Sequence, residues 1–114
     1  MTINVDAVYS AIMKAGQSAF ADNWDEVGSY GETEFKKMAQ QIVDIADNVA
    51  KYQHDEDQGY SANAGKILMN MQRLAMANVI IALTAMTLVT AQQAINDMLD
   101  VVKSTFGGVL KTIL

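Results

Sequence analysis

A seven-residue repeat of aliphatic side chains constrains the fold of this chain more than any other feature of its sequence. Isoleucine, leucine or valine stands at every seventh position from Ile67 to Val109, and a second series with the same period starts at Met71. The two series alternate in steps of four and three, which is typical of a helix in a left-handed coiled coil. The sequence therefore predicts one long C-terminal helix over about residues 62–106.

The chain ahead of this helix shows the helical spacing of apolar residues twice more. The second of these stretches has a heptad stripe with steps of three and four, formed by Phe35, Met38, Ile42, Ile45, Val49 and Tyr52. A glycine-containing interruption at residues 28–31 separates the two stretches, and Ser29 followed by Glu32 matches the capping box that starts a helix. A polar turn at residues 54–61 ends the second stretch. The predicted helices span about residues 3–27, 32–54 and 62–106.

The composition supports an all-α fold built on these helices. The 114 residues include no proline and only seven glycines. Neither residue type occurs within residues 66–106, so we expect nothing to fold the third helix back on itself. At ~1.5 Å per residue it would be roughly 65–70 Å long, about twice the diameter of a compact chain of this size. We expect an elongated helical hairpin or bundle, a single domain over residues 1–114, with two shorter helices packed along the long one.

Composition and motifs argue against several classes of function. Because 13 acidic residues outweigh 8 basic ones, no basic surface for nucleic acid is expected. The chain lacks cysteine, and its one histidine, His54, stands beside three carboxylates whose consecutive positions point in different directions. We therefore expect no metal site and no cofactor. Since the sequence shows neither a nucleophile–base arrangement nor a phosphate-binding glycine motif, it predicts no enzyme and no small-molecule substrate.

The third predicted helix carries more apolar surface than two short helices can cover. Residues 74–96 contain no charge, and apolar side chains surround the helix at residues 79–89. Leaving several of them in water would cost more than the typical ~5–15 kcal/mol stability of a domain. The sequence therefore predicts a homo-oligomer. The residues of the predicted self-association seam are Met71, Leu74, Asn78, Ile81, Met86, Leu88, Gln92, Ile95, Leu99 and Val102.

Two of these seam positions, Asn78 and Gln92, are polar. A polar residue at a buried seam position costs stability but fixes the register and the number of packed helices. The same residues also suit positions at which the seam faces water. Both interpretations stay open on the sequence alone.

The function predicted from the sequence is that of a non-enzymatic structural protein, a subunit of a helical filament or of a closed oligomer. One alternative is a membrane-inserting or pore-forming protein, because segment 74–96 is long enough to cross a bilayer. The other is a small helical adaptor or chaperone that covers a helix of a partner. The N-terminal residues lack the features of a signal peptide, which predicts a cytoplasmic protein or one secreted by a leaderless route.

Overall fold

In the computed structural model, which describes residues 3–114, all regular structure is helical. Four long helices are followed by a short fifth one, and a 3₁₀ turn over Ala21–Asn23 joins the first two. The helices are α1 (Val5–Phe20), α2 (Trp24–His54), α3 (Ala62–Leu83), α4 (Leu88–Phe106) and α5 (Gly108–Ile113). The prediction of an all-α helical bundle is confirmed.

The four long helices surround one core, and each packs against two neighbours in the order α1, α2, α3, α4 and back to α1. Short connections make successive helices antiparallel. Lys36 of α2 pairs with Asp6 of α1 at 3.8 Å, and Arg73 of α3 donates a hydrogen bond to Asn96 of α4 at 2.8 Å. The short α5 lies against α2, α3 and α4. The bundle measures 45 × 22 × 20 Å.

Polar side chains start three of the long helices. The side-chain oxygens of Asn4, Ser61 and Thr87 accept backbone N–H groups in the first turns of α1, α3 and α4. These N–H groups have no partner within the helix, so each cap satisfies a donor that would otherwise need water. The helix starts are therefore set by single residues.

The core is apolar throughout the described part of the chain, with no buried polar or charged side chain among residues 3–114. The heptad stripe that the sequence shows in its second helical stretch is the core face of α2. Its buried members are Phe35, Met38, Ile42, Ile45 and Val49. The opposite walls of the core come from α1, α3 and α4, with Ile12, Met69, Ile80, Met98 and Leu99 among the fully buried side chains.

The prediction that residues 28–31 separate two helices is wrong, because α2 runs through them from Trp24. Its two glycines make room for aromatic rings. A Cβ atom on Gly28 would lie 3.0 Å from the indole of Trp24, and one on Gly31 would lie 3.2 Å from the ring of Phe35. The first helix ends earlier than predicted, at Phe20.

The prediction of one long C-terminal helix is also wrong, because α3 ends at Leu83 and α4 starts at Leu88. The hydroxyl of Thr84 donates to the carbonyl of Ile80 at 2.9 Å and accepts the N–H of Met86 at 3.1 Å. These hydrogen bonds pair backbone groups at the point where the chain reverses direction. The turn therefore forms without glycine or proline. The longest helix is α2, with 31 residues, in the N-terminal half of the chain.

Candidate interaction surface

Helix α3 carries apolar side chains on two opposite faces. Met69, Met76 and Ile80 are buried in the bundle. Ile67 and Met71 are each two positions from Met69 in sequence, a rotation of about 200° around the helix. Both therefore lie on the side opposite Met69 and point outward. Since one face suffices to anchor the helix, the second face is free to contact another molecule.

We call the outward face the α3 outer stripe. Its positions follow each other in steps of four and three, so they form one line along the helix. They are Ile67, Met71, Leu74, Asn78 and Ile81. Ile67 is 63% exposed, Met71 61% and Leu74 50%, while Asn78 is exposed and Ile81 is half-buried against the core. Its last four residues are the α3 part of the predicted self-association seam, and Ile67 extends the same line by one turn.

The rest of the predicted seam does not continue this line. Met86 is half-buried in the connection after α3, and Leu88 and Gln92 are exposed at the start of α4. Three residues that sequence reasoning placed in the seam are buried in the core of the same chain, namely Ile95, Leu99 and Val102. The reversal at residues 84–87 gives α4 a new orientation, so the seam changes from an outward face on α3 to an inward face on α4.

The other strongly exposed apolar side chains form no comparable line. Tyr30 lies on α2, whereas Val89 and Val101 lie on α4. The two valines are twelve residues apart, which places them about 120° from each other around the helix. Isolated apolar residues of this kind are normal on protein surfaces, but a continuous line is not.

A groove lies beside the outer stripe, between α3 and α4, with a volume of about 500 Å³. Ile95 and Ile113 contribute buried apolar surface to it, whereas Lys66, Asn70 and Gln92 are exposed. Sequence reasoning missed this groove, because its lining comes from three helices whose packing only the fold reveals.

Arg73 is the charged residue that the structure fixes in this groove. Its Nη1 donates to Oδ1 of Asn96 at 2.8 Å. Burial lowers the pKa of Arg73, and the nearby Asp100 carboxylate opposes that effect. An arginine keeps its charge at neutral pH, so the groove stays cationic.

The charge of α3 differs from that of the other long helices. Within Ala62–Leu83 the charged residues are Lys66 and Arg73, with no carboxylate. Residues 22–57, by contrast, hold ten acidic residues and three lysines. The chain as a whole has a net charge of −5, so a contact between two α3 helices avoids the carboxylates of α2, although it brings together the Lys66 and Arg73 side chains of both copies.

In the polar turn after α2, one carboxylate has a structural role. The side chain of Asp55 accepts the N–H of Asp57 at 3.0 Å and the amide of Gln58 at 3.4 Å. His54 is exposed at the end of α2. Within residues 3–114, no three histidine or carboxylate side chains stand close enough together to hold a metal ion.

The segment 74–96, considered above for membrane insertion, is divided between α3, the connection and α4. None of the helices in residues 3–114 combines the length and the apolar character required to span a bilayer.

Comparison of the chain with models of protein families, with curated proteins and with solved structures found no match in any of the three. The fold and surface define an antiparallel four-helix bundle with one apolar stripe exposed on α3. That stripe and the charges around it are the features of the surface that bear on function.

Proposed function

We propose that this protein is a non-enzymatic structural protein that self-associates through the α3 outer stripe. One observation supports the proposal above the others: Ile67, Met71 and Leu74 stay half or more exposed in a single helical line. Apolar residues with four-and-three spacing form a stripe on α2 that is buried in the core. The stripe with the same spacing on α3 remains exposed. A second copy of the chain supplies the missing partner.

The stripe contributes a favourable but limited free energy to such a contact. Burying each of these three half-exposed side chains is worth roughly 1–2 kcal/mol, because complete burial is worth about 1.5–3 kcal/mol. Association costs an estimated 4–15 kcal/mol in lost freedom of motion. The contact therefore includes surface beside the stripe, and the rim of the groove next to Leu74 is its nearest extension.

Self-association through α3 keeps the most acidic helices of the two copies away from the contact. All carboxylates of α2 except that of Glu34 are exposed, and α3 has none. A contact between two α3 helices therefore keeps the acidic surfaces apart. Asn78 would then fix the register, as a single polar seam residue does in coiled coils.

The symmetry of this contact favours a closed oligomer over a filament. When the same surface is used by both copies, the contact is two-fold symmetric and closes as a dimer. A filament needs two different complementary surfaces on each copy. The α3 outer stripe is a single surface, so a dimer is its simplest product.

Two charge-matched variants test the proposal. Leu74→Glu and Val101→Glu each place a carboxylate at a side chain that is 50% exposed. Val101 is nine residues from Gln92, about two and a half turns, so it lies on the side of α4 away from the groove. We expect light scattering to give a mass above that of one chain for the wild type and for Val101→Glu, and roughly tenfold weaker association for Leu74→Glu.

Circular dichroism of both variants checks that the helices are retained. A wild type that has the mass of one chain at every concentration would overturn the proposal, whether or not the protein binds lipid vesicles or a foreign helix. Equal association of the two variants would also overturn it.

A further inference from the structure

We propose that Met71 is a site of reversible oxidation, and that its sulfoxide weakens the self-association of the chain. The effect on association depends on the function proposed above, whereas the selectivity of oxidation depends only on the folded chain. The oxidant is hydrogen peroxide.

Met71 differs from every other methionine of residues 3–114 in its exposure. Its side chain is 61% exposed. Four methionines are at most 4% exposed, namely Met38, Met69, Met76 and Met98, and Met13 and Met86 are half-buried. Because oxidation of methionine follows exposure, Met71 is expected to react first among the methionines of residues 3–114 when the folded chain is in dilute solution.

The reaction is an oxygen transfer to the thioether sulfur. Sδ attacks one oxygen of hydrogen peroxide, the O–O bond breaks, an S=O bond forms, and the second oxygen leaves as water. The sulfur is oxidised by two electrons and the peroxide is reduced. A methionine sulfoxide reductase with a thiol reductant reverses the change.

Oxidation of Met71 changes the polarity of the α3 outer stripe at its centre. Ile67 lies one turn before it and Leu74 one turn after it, both exposed and apolar. The sulfoxide oxygen is a strong hydrogen-bond acceptor, and burying it in an apolar contact without a donor is unfavourable. Oxidation therefore weakens the contact at the middle of its apolar part.

Association and oxidation then oppose each other. In the oligomer Met71 is covered by the second copy, so peroxide reacts with the dissociated chain. Once oxidised, that chain reassociates more weakly until the sulfoxide is reduced. We therefore expect Met71 to be oxidised more slowly at high protein concentration, while half-buried Met13, which lies on α1, shows no such dependence.

The first experiment measures which methionine reacts. Dilute wild-type protein is treated with hydrogen peroxide, and the oxidation of each methionine is followed by peptide mass spectrometry. We expect Met71 to react roughly tenfold faster than Met69, Met76 and Met98. Equal rates would overturn the inference whatever the oligomeric state.

The second experiment measures the consequence. Wild type and Met71→Leu, which keeps an apolar side chain of similar size, are compared by light scattering before and after peroxide. We expect roughly tenfold weaker association for oxidised wild type, recovery after treatment with the reductase, and no change for Met71→Leu. Met71→Gln, which places an amide in the stripe, should associate as weakly as the oxidised protein.

The outcomes separate the two proposals. If untreated wild type does not associate, the proposed function fails. If it associates but oxidised wild type associates equally well, the inference about Met71 fails alone. A loss of association by peroxide-treated Met71→Leu would assign the effect to another methionine and would also overturn the inference.

Discussion

At the scale of single residues, the glycines inside the helices act by their lack of a side chain. A Cβ atom on Gly16 would lie 2.5 Å from the indole of Trp24, which also covers Gly28. The indole packs with Phe20 and Phe35, with ring centroids 6.3 and 5.9 Å away. Glycine therefore lets a large aromatic group sit between α1 and α2.

Gly65 of α3 gives the sharpest prediction at this scale. Its missing Cβ atom would lie 2.8 Å from Cγ2 of Val49 and 3.1 Å from Cγ2 of Ile113. Branched side chains from α2 and α5 leave little space to move. We expect Gly65→Ala to lower the free energy of unfolding by about 1–2 kcal/mol, because overpacking outweighs the ~1 kcal/mol gain in helix propensity.

Urea unfolding measures this change, with Asn63→Ala at an exposed position of the same helix as the control. The control should be neutral or slightly stabilising, since alanine favours the helix. A Gly65→Ala protein more stable than wild type would show that the site can accommodate a methyl group.

At the scale of elements, the break between α3 and α4 is set by threonine hydroxyls. Helix periodicity continues through residues 84–87, so the apolar pattern alone predicts one helix there. The available signal is Thr87 followed by Thr90, because threonine is a favoured N-cap. That signal is weak by itself. The packing of α4 against α1 also favours the reversal of the chain over one continuous helix.

Thr87→Ala tests the cap. The Thr87 hydroxyl accepts the N–H of Thr90 at 3.2 Å. We expect its loss to lower the free energy of unfolding by about 1 kcal/mol, measured by urea titration. Thr33→Ala, which removes a hydroxyl from an exposed position within α2, should be neutral or slightly stabilising. If the two variants were equally stable, Thr87 would not be the residue that starts α4.

At the scale of the whole molecule, the sequence predicted the class of fold and the heptad stripe of α2 but not the path of the chain. Periodicity shows which residues share a helical face, as for Phe35, Ile42 and Val49. It does not show whether that face meets the same chain, another copy or solvent. One heptad seam is therefore outward at Leu74 and inward at Leu99.

The candidate surface was predictable to the same extent. Met71, Leu74 and Asn78 belonged to the predicted seam and lie together on the outer stripe. Ile95 could not be distinguished from them, because its burial follows from the reversal of the chain at residues 84–87.

Sedimentation velocity of the wild-type chain over about a hundredfold concentration range tests the central claim most directly. Self-association through the α3 outer stripe predicts a weight-average sedimentation coefficient that rises with concentration toward a dimer, without detergent. A single species with the mass of one chain at every concentration would contradict it.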